Sequence, residues 1–100
     1  MYRGTTPTIT VNFKDLYTYE FDVIKLYVYQ NDKPVAIFSK NELELLTKGV
    51  KATLTQEQTL AISEDSNVKI QIRGKTKNGT VVATRVFSIG VNDILNDEIL

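Results

Sequence analysis

The stretch NVKIQIRGKTKNGTVVATRVFSIGV, Asn67 to Val91, decides how this chain folds. Val68, Ile70 and Ile72 alternate with Lys69, Gln71 and Arg73, and Val81, Ala83, Phe87 and Ile89 recur at period two beyond Asn78-Gly79. Side chains of a strand point to alternate faces, so each run presents one apolar and one polar side. Asn-Gly between two such runs is the strongest short-range hairpin signal, because both residues tolerate positive φ. A two-residue turn there sets Ile70 opposite Phe87, Val68 opposite Ile89 and Arg85 across from Ile72. A bulged three-residue loop would instead set Ile70 against Val86. The first register gathers more apolar surface on one face and is the one we expect. It sets Gly74 against Ala83, a thin place where another element could approach closely.

Working outward, the same alternation recurs upstream. Ile9, Val11 and Phe13 share a face of a first strand over Thr8–Phe13. Ile24, Leu26 and Val28 share a face of a second over Val23–Gln30, which leaves Lys25, Tyr27 and Tyr29 on the other. Asn31-Asp32-Lys33 is a turn, and Val35–Ser39 a third strand pairing antiparallel with the second. Pro34 belongs at the start or edge of a strand because it has no amide proton to donate. Leu43 and Leu45 alternate with Glu42 and Glu44 until Leu46 breaks the pattern, and Val50, Ala52 and Leu54 resume it. Thr55 and Gln58 carry the spacing of a capping box, predicting one or two helical turns over 55–62 as a crossover, with Leu60 and Ile62 inward. From Asn92 onward the acids and Ile94, Leu95, Ile99 and Leu100 read as a short terminal helix, too short to hold itself together without docking.

The whole is expected to be all-β, one domain over residues 1–100. It would be an antiparallel, immunoglobulin-like β-sandwich of six or seven strands with a short crossover helix and a short C-terminal helix.

Composition narrows the chemistry. Lys plus Arg and Asp plus Glu number 12 each, so the formal charge is zero. That supplies no excess of cations for nucleic-acid binding and favours self-association. The chain has neither cysteine nor histidine, which removes thiolate chemistry, the commonest general base and the commonest metal ligand. The lead Met1–Pro7 has no apolar core of a secretory signal, and no apolar run is long enough to span a membrane. We therefore expect synthesis in the cytoplasm, no membrane partner, no metal and no cofactor.

The carboxylate pairs Glu42/Glu44, Glu64/Asp65 and Asp97/Glu98 have no apolar surroundings to raise a pKa and read as solubilising groups. The oxygen-rich runs at 64–67 and 92–98 lack the ligand rhythm and glycine of a calcium loop. Asn78-Gly79-Thr80 fits a glycosylation acceptor but reads as a turn. Without a histidine or a nucleophile elbow, a hydrolase is not expected. The candidate binding residues are aromatic: Tyr17, Tyr19, Tyr27 and Tyr29. Tyrosine buries much area at low entropic cost and keeps a polar handle, so outward tyrosines mark a partner or sugar surface. The competing reading is that these rings cover the second face of a two-layer domain.

Several segments carry a family likeness. They are Tyr2-Arg3-Gly4-Thr5-Thr6-Pro7-Thr8, Thr53-Leu54-Thr55-Gln56-Glu57-Gln58-Thr59-Leu60, Val68–Arg73, Asn78-Gly79 and Val91-Asn92-Asp93-Ile94-Leu95. In this order, over nearly the whole chain, they resemble a family of proteins of about this length encoded among virion structural genes in phages and prophages of Gram-positive bacteria. The resemblance implies a non-enzymatic virion structural or accessory protein, associated with the tail or baseplate and working as an assembly or interaction module. Its partners would be copies of itself, as a homo-oligomer, or other phage tail proteins. It implies no active site. The alternative is a carbohydrate- or host-surface-binding β-sandwich domain that uses the four tyrosines for stacking.

Overall fold

A computed structural model describes residues 1–100. Eight strands form two antiparallel sheets. They are β1 (Thr8–Asn12), β2 (Phe21–Gln30), β3 (Lys33–Ser39), β4 (Glu44–Leu46), β5 (Gly49–Thr53), β6 (Val68–Thr76), β7 (Val81–Ala83) and β8 (Phe87–Ile89). One sheet has the order β1-β5-β4, and the other β3-β2-β6 with β7 and β8 both on the far side of β6. The helix α1 (Gln56–Leu60) carries the chain from β5 to β6. The all-β character stands, with one or two strands more than the pattern predicts. The count rises because the return arm of the last hairpin splits in two and Glu44–Leu46 pairs with β5.

Alternation builds the core. Ile24, Leu26 and Val28 of β2 and Val68, Ile70 and Ile72 of β6 face inward and meet Ile9, Val11, Val50 and Ala52 of the smaller sheet in one apolar cluster. Each fully buried side chain of this kind contributes on the order of 2 kcal/mol of transfer free energy. β2 and β6 are the long central strands, paired from Tyr29↔Lys69 to Phe21↔Thr76.

The last hairpin holds both registers considered for it. Beside β8 the pairs are Val68↔Ile89 and Ile70↔Phe87, as expected. Beside β7 they are Arg73↔Ala83, Gly74↔Val82 and Lys75↔Val81, displaced by one residue. The displacement starts at the turn, where only Gly79 has positive φ (+92°). The Thr76 amide bonds to the Thr80 carbonyl at 2.8 Å and the Gly79 amide to the Thr76 carbonyl at 2.9 Å. This is the three-residue loop with a glycine bulge rather than a two-residue primed turn. The Thr76 hydroxyl favours it, donating to the Asn78 side chain and accepting from the Thr80 amide. As a result Val82, not Val81 or Ala83, turns to the core.

Thr84 then absorbs the extra residue. Its hydroxyl accepts from the Ile72 amide at 3.0 Å, its amide bonds to the Ile72 carbonyl at 2.9 Å, and Gln71 caps its carbonyl at 2.9 Å. Arg85 therefore has no partner on Ile72, and β8 resumes one residue later. The approach anticipated at Gly74 is made by Phe21, whose ring lies 2.7 Å from where a Cβ would stand.

The two-residue turn with both positions at positive φ is at Asn31 (51°) and Asp32 (63°), between β2 and β3. Pro34 follows on an edge strand, where its missing donor costs nothing. Val35 is an extra residue between the pairs Tyr29↔Pro34 and Val28↔Ala36.

The capping box forms as predicted. The Thr55 hydroxyl accepts from the Gln58 amide at 3.1 Å, and the Gln58 side chain accepts from the Thr55 amide at 2.8 Å. Ile62 is buried, but Thr59 rather than Leu60 is the fully buried residue of α1. Thr55→Ala should destabilise the fold by about 1 kcal/mol in urea unfolding, and an unchanged midpoint would show the cap to be dispensable.

No helix forms after β8. Asn92 instead makes a parallel bridge to Tyr2, and the segment beyond it lies irregularly against the N-terminal residues. So short a helix needs a docked apolar side, and here Leu95, Ile99 and Leu100 are all exposed.

Candidate functional site

The sheet that places Ile24, Leu26 and Val28 inside places their neighbours outside. The outer face of the five-stranded sheet carries Tyr27, Tyr29 and Lys25 from β2 and Lys69, Gln71, Arg73 and Lys75 from β6. Register makes them neighbours: Tyr29 pairs with Lys69, Tyr27 with Gln71 and Ile37, Lys25 with Arg73, and Val23 with Lys75. Lys25 against Arg73 is a like-charge cross-strand pair, which is destabilising by a few tenths of a kcal/mol or so. No carboxylate sits at the outward paired positions of this sheet. None of these four cations has an ion pair; the only ion pairs in the molecule are made by Arg3.

Over this face runs an open cleft of about 410 Å³, lined by Tyr27, Tyr29, Lys69, Arg73 and Gln71, with Val86 from the irregular 84–86 segment on one wall. Asp32 in the β2–β3 turn is the one carboxylate on its rim. The Tyr27 and Tyr29 rings are tilted, with centroids 6.4 Å apart.

The four predicted tyrosines form two pairs rather than one platform. Tyr17 and Tyr19 stack at 5.4 Å and 21° in the turn that precedes β2, with the Lys48 ammonium 4.6 Å from the Tyr17 centroid. From the start of β2 to Tyr27 the strand runs about 20 Å. The first pair is exposed (39% and 68%) and the second half-buried within the sheet face. Thr18 holds the first pair in place: its hydroxyl donates to the Gly49 carbonyl and accepts from the Gly49 amide, both at 3.1 Å.

Opposite in charge is the end of the molecule around Arg3. That guanidinium donates to the Ile62 and Leu60 carbonyls at 2.7 and 2.9 Å, and to Asp93 and Asp97 at 2.6 and 3.2 Å. It joins the α1 region to the segment after β8, and the Leu100 amide adds a bond to the Gln56 side chain at 2.9 Å. Residues 54–66 and 86–100 contain no Lys or Arg. This end therefore exposes Glu57, Glu64, Asp65, Asp93, Asp97 and Glu98 around the Arg3 guanidinium and the Met1 terminal ammonium, with Lys33 beside it in the β2–β3 turn. A chain of zero net charge thus carries two surfaces of opposite sign.

The Arg3 hydrogen bond, followed by the Ile94 amide, holds the Asp93 carboxyl below its ordinary range, and the same contact, with that to Asp97, raises Arg3. A lowered folded-state pKa means that the clamp is complete above the unfolded Asp value of about 3.9 and is lost as pH falls through the lower folded value. Backbone amide shifts of Ile94 and Leu95 should follow one acid transition with a midpoint below about 3.9. A midpoint at or above that value would show Asp93 to be unclamped.

Arg3, Thr18 and Gln30, the polar residues that tie the ends of the sandwich together, were not singled out in the sequence. Gln30 alone left a signal there, since it continues the inward alternation of Ile24, Leu26 and Val28. No helix is long and apolar enough to cross a membrane, and no group of three or more carboxylates is placed to hold a metal ion. The site is thus a cationic, tyrosine-bearing sheet face on a two-sheet all-β protein. No family model, curated protein or solved structure matches the chain.

Proposed function

We propose that this is a non-enzymatic virion structural or accessory protein of a phage or prophage, an immunoglobulin-like assembly module of the tail or baseplate. It is made in the bacterial cytoplasm and works in the virion through its surface. Its partners are copies of itself or other tail proteins, rather than nucleic acid or a membrane. The observation that carries this reading is the outer face of the five-stranded sheet, where half-buried tyrosines sit among cations that the chain leaves unpaired. Tyrosine and arginine at the centre of a flat face are the residues that dominate protein interfaces. The family likeness of the segments from Tyr2 to Leu95 supports the virion setting.

Native mass spectrometry of the protein coexpressed with the structural proteins of its own virion tests the proposal. Complexes or oligomers that weaken with Tyr27→Ala plus Tyr29→Ala are expected. A strict monomer that captures none of them would overturn it. The exposed, stacked Tyr17–Tyr19 pair favours a second reading, carbohydrate binding. A glycan array probed with wild type and with a Tyr17→Ala plus Tyr19→Ala variant decides that one, and signal at background, or signal indifferent to both changes, removes it.

A further inference from the structure

The charge map identifies a partner for the cationic face. We infer that it docks the acidic end of a second copy, so that the chain assembles head to tail. This inference rests on the self-association named above and specifies its two surfaces. The face presents Lys25, Lys69, Arg73 and Lys75 without an ion pair, and two of these are set against each other across β2 and β6. Such a face gains from any anion that comes to lie on it.

The same chain supplies the complement. The end around Arg3 gathers six exposed carboxylates, which outnumber its cations, Arg3, the Met1 ammonium and the neighbouring Lys33. The segment after β8 adds Leu95, Ile99 and Leu100, which project from that acidic end with no apolar cover in their own chain. They match the cleft between Tyr27, Tyr29 and Val86, whose apolar walls are flanked by Lys69 and Arg73. The hydrogen bonds of this segment to the rest of the chain go to Met1, Arg3 and Gln56, none to the five-stranded sheet, so the two surfaces do not satisfy each other within one copy.

Two different patches meeting in this way form a heterologous contact, which closes into a ring or continues as a filament. Opposite fields on the two patches orient the encounter and disfavour face-to-face pairing, where like charges would meet.

Native mass spectrometry and light scattering on the full chain at high micromolar concentration test this. Wild type should associate at about 0.01 M salt and dissociate towards 1 M, as the screening length shortens from about 30 to 3 Å. Lys69→Glu with Arg73→Glu removes the face; Asp97→Lys with Glu98→Lys reverses the end. Each pair should weaken association about tenfold or more, with circular dichroism unchanged. Mixing the two variants should then restore association, because the intact acidic end of one fits the intact face of the other and the reversed end and reversed face are again opposite in charge.

A wild-type monomer at low salt overturns the inference. So does an oligomer indifferent to both variants, and so does binding of a fluorescent oligodeoxythymidine that depends on Lys69 and Arg73 while the protein stays monomeric. If wild type is monomeric yet captures a coexpressed virion protein, head-to-tail assembly fails while the assembly-module reading stands.

Discussion

Leu26→Ala is expected to destabilise the fold by about 3 kcal/mol, within the range measured for emptying a leucine site in a packed core. Leu26 is fully buried at the middle of β2, paired with Phe38 on β3 and Ile72 on β6. β2 is flanked by a strand on each side, so its backbone has little freedom to move in and fill the space. For a domain of this size such a loss lowers the melting temperature by roughly 12–24 °C. It also removes a large share of a total stability on the order of 5–15 kcal/mol. Calorimetry or urea unfolding reads both. A loss below about 1 kcal/mol would mean that Leu26 is not at the centre of the core.

Gln30→Leu should be the costliest polar substitution, at about 2–3 kcal/mol. The Gln30 amide donates to the Ser63 carbonyl at 2.6 Å and the Ser66 carbonyl at 2.9 Å, and its carbonyl accepts from the Ser63 amide at 2.9 Å. One side chain thus satisfies three backbone groups of the turn that carries the chain from α1 into β6. Leucine fills the space but leaves those groups without partners, and desolvated backbone groups carry the larger part of the cost. Gln30→Glu keeps the acceptor and loses both donors, so it should fall in the same range or worse. Faster hydrogen exchange at Ser63 is the local readout. An unfolding midpoint within error of wild type for Gln30→Leu would show that the 63–66 turn holds its shape unaided.

What the sequence made legible follows the period of two. Inward and outward positions of β1, β2, β5 and β6 were readable because alternating burial leaves alternating residue types. The capping box at Thr55 and Gln58 was readable because both partners lie within four residues. The failures share a different cause. Asn78-Gly79 and Asn31-Asp32 both have turn chemistry, but which became the two-residue turn depended on contacts outside the two central residues. Among these was the Thr76 hydroxyl, which a dipeptide signal does not see. The terminal segment carried helical spacing at Ile94, Leu95, Ile99 and Leu100, yet a helix that short takes its stability from what it packs on, and only Ile94 finds cover in its own chain, beside Gly4 and Leu60.

The candidate surface was half legible. Tyr27 and Tyr29 are outward by alternation alone, whereas their separation from Tyr17 and Tyr19 depends on where β2 begins. Charge misled most. Zero net charge is a sum over the chain, and it conceals that Lys25, Lys69, Arg73 and Lys75 share one sheet face while Glu57, Glu64, Asp65, Asp93, Asp97 and Glu98 share one end. Counting charge by strand face rather than by chain would have shown the cationic side before any coordinates.

Lysine reactivity tests most directly whether the cationic sheet face is the working surface. Acetylation rates at each lysine, read by peptide mass spectrometry, would be compared between dilute protein at high salt and concentrated protein at low salt. Lys25, Lys69 and Lys75 should lose reactivity on concentration, while Lys14 and Lys48, exposed away from that face, keep theirs. Equal rates at all five lysines under both conditions, or protection at Lys14 and Lys48 instead, would contradict the account.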